Sequence, residues 1–252
     1  MMLISLSKQD YKTAFSILAK SSQHYQTVLE LFSQHIQATL PGQANYLDIG
    51  PGDGVITRQL LSHFTHTTII EPNELMVSEW YEKDIAWHNI TFLECELDGK
   101  YDFILCSHVL YKMSQAEISK FIGKILQHLK PGGSCLLAFI APRGKNHELH
   151  SAFNPDYPNS NFVIHALEQH SVDYTKIAAV NDFTVGSYAD ALTIVKFFVY
   201  EDCITPDILA DHTEAQKAEL MDKIETFVAC TKNGSHYPLQ QEEDYFIFTK
   251  RY

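Results

Sequence analysis

Between residues 46 and 140 the chain alternates two kinds of segment. Five short apolar runs, at 46–49, 67–70, 90–93, 101–106 and 134–140, are separated by stretches near 54–64, 73–83 and 114–129 whose apolar residues recur at helical spacing. A strand that is apolar on both faces must be covered on both, and the intervening helices supply that cover. The pattern predicts an α/β fold built on an open, doubly wound parallel sheet.

Two helical patterns precede the sheet, at 8–20 and 22–40. The first carries Tyr11, Phe15 and Leu18 on one face and the second Tyr25, Val28, Leu29, Phe32 and Ile36, and Pro41 with Gly42 ends it. Beyond Pro142 the pattern loosens into a helix near 161–170, a strand at 174–180 and helices at 188–200 and 213–232. A closing strand reads "DYFIFTKR". No repeat or low-complexity linker interrupts the chain. The expected organisation is a helical cap over 1–42 and a single elaborated domain over 43–252.

At 252 residues and 45% hydrophobic content the chain can bury a sizeable core. Its formal net charge of −12 disfavours an extended phosphate-binding surface, so nucleic acid is not an expected partner. The five cysteines form no CxxC pair, which suits reduced, buried thiols and a cytoplasmic setting. The opening "MMLISLSKQDYKTAF" lacks the basic and apolar regions of a signal peptide, and no apolar run reaches membrane-spanning length. No membrane partner is expected, the sequons at Asn89 and Asn233 are chance matches, and a monomer or simple homodimer suffices.

The stretch "YLDIGPGDGVITRQLL" sets Gly50, Gly52 and Gly54 after the first strand and before a helix. Glycines there let a ligand approach the backbone N–H groups at the carboxyl end of the sheet. The spacing is GxGxG, where a dinucleotide fingerprint reads GxGxxG, and Asp48 precedes the first glycine by two positions. An acidic entry suits a ligand carrying an ammonium and a sulfonium better than one carrying a pyrophosphate.

These residues resemble the first motif of class I S-adenosylmethionine-dependent methyltransferases. Four further landmarks follow in the same order: "IIEPN", "ECELDG", "YDFILCSHVLYKM" and "LKPGGSCLLAF". The resemblance implies a Rossmann-like seven-stranded sheet whose last strand is antiparallel and follows a helical insertion. It implies S-adenosylmethionine as cofactor and S-adenosylhomocysteine as product. Asp48, Gly50, Gly52 and Gly54 would form the methionine-side loop, Glu71 with Pro72 would meet the ribose, Glu96 and Leu97 would flank the adenine, and Ser107 and His108 would complete the cofactor site.

Methyltransferases of DNA bases or protein amides carry [DNS]PP[YFW] after the fourth strand. Here that position reads Ser107-His108-Val109-Leu110, and "NPDY" at 154–157 falls after the fifth strand as a decoy. The acceptor is therefore expected to be a small molecule. "DYKTAFSILAKSS", "HVLYKM" and the insertion before "YFIFTK" are similar to histamine N-methyltransferase and its relatives, which implies substrate contacts by Tyr11, Phe15, His24, Tyr25 and Tyr111. The acidic, glutamine and asparagine contacts of that family would fall at Gln23 or His24, at His108, and near Glu242 or Glu243, so the scaffold carries over while the histamine contacts do not.

Methyl transfer from a sulfonium is an in-line displacement, which asks the protein to align the reactants and exclude water. Aromatic walls from Tyr11, Phe15, Tyr25 and Tyr111 suit a cationic amine and the sulfonium. An amine or imidazole nitrogen is the first expectation, with His108 and Tyr111 as the catalytic pair and His108 as a base where the acceptor must lose a proton. An O-methyltransferase for a phenolic or carboxylate metabolite, a nicotinamide-dependent oxidoreductase and a non-catalytic binding protein are the alternatives. His147 and His150 in "NHELH" miss the HExxH spacing, so a solvated turn and no metal are expected there. The acidic run "QQEEDY" at 240–245 is expected on the surface.

Overall fold

The computed structural model describes residues 6–251 except 79, 82, 83 and 205. Nine strands are defined among them: β1 (Asn45–Ile49), β2 (His66–Ile70), β3 (Ile85–His88), β4 (Tyr101–Ser107), β5 (Leu129–Ile140), β6 (Tyr174–Val180), β7 (Phe183–Val185), β8 (Tyr237–Leu239) and β9 (Glu242–Thr249). The helices are α1 (Lys8–Ser21), α2 (His24–His35), α3 (Val55–Leu60), α4 (Glu74–Val77), α5 (Gln115–His128), α6 (Lys145–Phe153), α7 (Ser160–Gln169), α8 (Tyr188–Phe198), α9 (Pro206–Asp211) and α10 (Glu214–Thr231).

Seven strands form one sheet in the order β3-β2-β1-β4-β5-β9-β6, with β9 antiparallel to both of its neighbours. Strand order reverses between β1 and β4, which creates a crevice at their carboxyl ends. In β4, Phe103 and Leu105 face one side and Ile104 and Cys106 the other, all buried. The first pair packs with Val28 and Phe32 of α2 and with Ile36 just after it, and the second with Ile118, Phe121 and Ile125 of α5. Helix α5 starts where it does because Ser114 and Glu117 form a reciprocal capping box. A further cluster joins Tyr11 and Ala14 of α1 to α8, α10 and the β7–β8 pair.

The expected doubly wound sheet, its antiparallel last strand and the helical insertion before it are all present. Four local expectations are corrected. The third strand is 85–88 and not 90–93: Ile85 and Trp87 pack outside β2, while Lys124 Nζ binds the carbonyls of Phe92, Leu93 and Cys95 at 2.6, 3.2 and 2.5 Å and ties 92–95 into a turn. The helix expected over 73–83 is α-helical only from Glu74 to Val77, and its last residues, Glu82 and Lys83, lie outside the described ones. "NHELH" belongs to α6 and not to a solvated turn, and His150 is buried on its inner face. "QQEEDY" leads into β9, a strand with a neighbour on each side, and Gln241, Glu243 and Asp244 are buried. An acidic run on a covered strand cannot stay at the surface, because alternation along the strand turns Glu243 inward.

Candidate functional site

The glycine loop follows β1 and the Ser107-His108 segment follows β4, so the two loops flank the crevice. Gly50 has φ +73°, and a Cβ there would lie 2.1 Å from Val109 Cγ1. Gly54, at φ +67°, lies under Trp80, whose ring atoms would stand 2.3 Å from an added Cβ. Only glycine fits either place. Trp80 Nε1 donates to the Gly52 carbonyl at 2.9 Å and locks the loop.

Two carboxylates hold this loop. Asp48 is buried and accepts from Tyr46 Oη at 2.7 Å and Thr57 Oγ1 at 2.6 Å, so it braces β1 against α3. Burial pushes its pKa up to about 6, against those two hydrogen bonds. Glu71, at the end of β2, accepts from the Asn73 N–H at 2.8 Å and the Gly52 N–H at 3.4 Å. Burial raises its pKa to about 7, and the two backbone bonds oppose the rise. Pro72, half-buried, turns the chain after it.

Aromatic residues of α1 and α2 come down on the same loop. Phe15 Cζ would be 3.3 Å from a Cβ on Gly52, Phe15 stacks with Tyr11 at 6.3 Å, and Tyr11 meets Phe197 edge-on at 5.2 Å. Tyr11 lies close enough to Glu71 that, after burial, this carboxylate helps push its phenol up. Tyr25 Oη donates to Asp53 Oδ2 at 3.0 Å. Glu96 stays exposed and Leu97 packs against the core cluster of Phe92 and Phe121.

Beyond β4, His108 adopts φ +55°, a strained conformation for a side chain of this kind, and its N–H donates to the Ala138 carbonyl at 3.1 Å. Its Nδ1 is bonded to the Tyr111 hydroxyl, and its ring stands 4.6 Å from that of His24. His24 reaches Ser107 Oγ through Nε2 at 2.7 Å, and Glu243 Oε2 and Tyr245 Oη through Nδ1 at 2.7 and 2.9 Å. Glu243 also accepts from Asn181 Nδ2 at 2.6 Å, from Gln241 Nε2 and from Tyr245 Oη. Burial works against ionising Glu243, but His24 and His108 outweigh it and hold the carboxyl well below its ordinary value. His24 itself is driven down by burial, and Tyr111 far up, so imidazole and phenol are neutral at pH 7.

The structure thus groups Asp48, Gly50, Gly52, Gly54 and Glu71 with Tyr11, Phe15 and Tyr25, and His24, Ser107, His108 and Tyr111 with one another. Asn181, Gln241 and Tyr245 carry no sequence signal as site residues, and Glu243 enters the sequence reading only as a residue near the place of the family's asparagine contact. The signal for Glu243 was its place in a strand pattern. A cavity of about 290 Å³ opens beside Tyr111, with Asn154, Asp156, Glu201 and Asp202 in its wall. A larger one of about 500 Å³ lies among Gly132, Asp173, Thr249 and Arg251, at the opposite end of the sheet from the glycine loop.

A family model described as a methyltransferase domain matches residues 22–171, more than half of the chain, from the start of α2 to the end of α7. The chain belongs to this methyltransferase family. It is 29% identical over 102 residues to nodulation protein S of Azorhizobium caulinodans, a match covering 38% of the chain and 48% of that protein. The chain spans about half the length of the curated relatives it matches. Among solved structures, the YcgJ protein of Bacillus subtilis superposes with a TM-score of 0.62 at 14% identity, covering 91% of this chain and 99% of that one. The N-methyltransferase NodS of Bradyrhizobium japonicum WM9, in complex with S-adenosyl-L-homocysteine, superposes with a TM-score of 0.52 at 14% identity, covering 90% and 86%. These likenesses establish the shared class I fold. Among the described residues no helix is long and apolar enough to cross a membrane.

Proposed function

We propose that this methyltransferase transfers the methyl group of S-adenosylmethionine to a small-molecule acceptor, at an amine or imidazole nitrogen. The observation that carries the reading is Glu71, a carboxylate at the end of β2 whose oxygens already meet the Gly52 and Asn73 N–H groups across the mouth of the crevice. A ribose diol placed there donates to the same carboxylate. The glycine loop receives the methionine end, and Glu96 with Leu97 flanks the adenine from the loop after β3. NodS, crystallised with S-adenosylhomocysteine, has the same fold and is named an N-methyltransferase.

In this reading Ser107, His108 and Tyr111 face the reacting methyl from the β4 side, and Tyr11, Phe15, His24 and Tyr25 close the acceptor side under the cap of residues 1–42. The protein acts by aligning the acceptor lone pair with the methyl–sulfur bond and excluding water. The methyl carbon leaves sulfur with the bonding pair remaining there, and the acceptor's proton, where it has one, goes to His108 or solvent. A second reading, transfer to a phenolic oxygen, draws on the His108–Tyr111 bond, which shows that His108 Nδ1 can meet a phenol hydroxyl; an acceptor phenol taking that place would pass its proton to the imidazole. The net charge of −12 supports a free metabolite over nucleic acid as partner, and we place the protein in the cytoplasm as a monomer or simple homodimer.

Thermal-shift titrations with S-adenosylmethionine, S-adenosylhomocysteine and NADH test the cofactor, because only ligands of the folded state raise the melting temperature. A rise with the adenosyl ligands, followed by turnover in a panel of amines, imidazoles and phenols, is the expected result. A rise with NADH alone overturns the reading, and adenosyl binding without turnover of any acceptor marks a non-catalytic binding protein.

A further inference from the structure

His24, His108 and Glu243 come from three distant parts of the chain, and each brings a ligand atom to within 4.8 Å of the other two. Two features of the cluster go beyond a hydrogen-bonded core. His108 Nε2 lies 3.0 Å from Glu243 Oε1 and is buried, yet it is out of line for a hydrogen bond and has no other partner. A buried ring nitrogen that sits beside a carboxylate without bonding to it directs its lone pair, like that of the carboxylate, at a shared third position. The second feature is the far nitrogen of each imidazole: Ser107 Oγ holds His24 Nε2 at 2.7 Å, and the Tyr111 hydroxyl holds His108 Nδ1. An imidazole anchored through one nitrogen directs the other, which is how metal-binding histidines are oriented; His24 Nδ1, in contact with Glu243 Oε2 and Tyr245 Oη, would exchange those contacts for the ion. Asn181, Gln241 and Tyr245 orient the carboxylate in the same way.

We propose that His24 Nδ1, His108 Nε2 and the Glu243 carboxylate bind one divalent transition-metal ion. The donor set decides the class: two imidazoles and one carboxylate suit Zn²⁺, Fe²⁺ and their neighbours, whereas Mg²⁺ and Ca²⁺ prefer all-oxygen sites. The two nitrogen–oxygen spacings agree with adjacent places on the ion. Ligands at about 2.1 Å from an octahedral centre stand about 3 Å apart, and the nitrogen–oxygen separations are 2.7 and 3.0 Å. No metal was expected from the spacing of "NHELH"; these ligands have no spacing signature because the fold assembles them.

The catalytic consequence rests on the methyltransferase reading. An acceptor hydroxyl held by the ion would release its proton to solvent, a lone pair left on its oxygen would form the bond to the methyl carbon, and the carbon–sulfur pair would pass to sulfur. The ion then does what a free His108 imidazole would do in its absence.

The test uses the full chain dialysed against a chelator and titrated with Co²⁺ under visible absorption and with Zn²⁺ by calorimetry, with S-adenosylhomocysteine binding measured on the same samples. Ligand-field bands that saturate at one ion per chain are expected. Ser107→Ala and Tyr111→Phe, which remove the outer anchors, should weaken binding about ten- to a hundredfold, and Glu243→Gln should abolish the bands. Absence of bands in the unmodified chain, or bands that persist in Glu243→Gln, overturns the site in favour of a hydrogen-bonded cluster or of surface histidines. Should Glu243→Gln unfold, His24→Gln gives the same comparison. S-adenosylhomocysteine binding without Co²⁺ binding defeats the metal site alone; Co²⁺ binding without S-adenosylhomocysteine binding defeats the cofactor assignment alone.

Discussion

Replacing Glu71 by glutamine should weaken cofactor binding while making the ligand-free chain more stable at pH 8. Burial raises the Glu71 pKa from 4.5 to about 7, which corresponds to about 3 kcal/mol against the charged form in the folded chain. The folded pKa lies above the unfolded one, so the protonated carboxyl favours folding below pH 4.5 and that contribution is lost as pH rises through 7. Glutamine carries no charge and escapes the penalty, at the loss of one of two backbone hydrogen bonds worth about 1 kcal/mol. A net gain of about 2 kcal/mol at pH 8 is expected, read from urea denaturation. Binding moves the other way. A carboxylate accepting from a ribose hydroxyl contributes about 1.5 to 3 kcal/mol, so calorimetry with S-adenosylhomocysteine should show Kd raised by about 10- to 150-fold. In the unmodified chain the affinity should also fall as pH drops below 7, because the acceptor becomes protonated, and this dependence should vanish in Glu71→Gln. An unchanged Kd, or a pH dependence that survives the substitution, refutes the placement of the ribose at Glu71.

Three further outcomes probe the frame around the site. Gly54→Ala forces a side chain into φ +67° and against the Trp80 ring, so denaturant titration should register a loss of about 2 to 3 kcal/mol, from the left-handed conformation and the broken Trp80–Gly52 bond together. Thr57→Val keeps the shape but removes a 2.6 Å bond to Asp48; the cost, about 1.5 to 3 kcal/mol at pH 8, should shrink at pH 5, below the Asp48 pKa of about 6, where the carboxyl is neutral. Lys124→Met frees the carbonyls of Phe92, Leu93 and Cys95, and amide hydrogen exchange over 92–97 should accelerate by an amount equivalent to about 2 kcal/mol; protection equal to that of the unmodified chain would show that the loop holds itself.

The sheet was legible because its evidence is local. Runs such as 101–106 and 134–140 are apolar on both faces, and few arrangements other than a covered parallel sheet accept them. The third strand was not, because 85–88 carries His88 and a half-exposed Trp87 at the sheet's edge, while the more apolar 90–93 is held as a turn by a lysine from α5. Edge strands need only one good neighbour, so hydrophobicity ranks them poorly. The short pair β7–β8 was missed for a different reason: its two strands lie about fifty residues apart, and neither is long enough to show a period.

The site divides along the same line. Gly50, Gly54, Asp48 and Glu71 lie at strand ends within one stretch of chain, and a strand end followed by glycines or an acid is readable without the fold. Glu243 and His24 are 219 positions apart, and no spacing rule joins them. The sequence still held a clue. The closing strand was read as beginning at Asp244, and extending it two residues, as β9 does, puts Glu243 and Tyr245 on one face of a strand that lies between two others. A carboxylate on such a strand has nowhere to reach water, so it must be matched by donors from elsewhere. Glu243 has four, from His24, Asn181, Gln241 and Tyr245, and His108 Nε2 lies beside it at 3.0 Å. Three of these groups are themselves held by further polar partners, His24 by Ser107, Asn181 by Thr27 and Gln241 by Asn146. Such a concentration of polar groups beside the β4 loop is what the proposed chemistry at that loop would draw on.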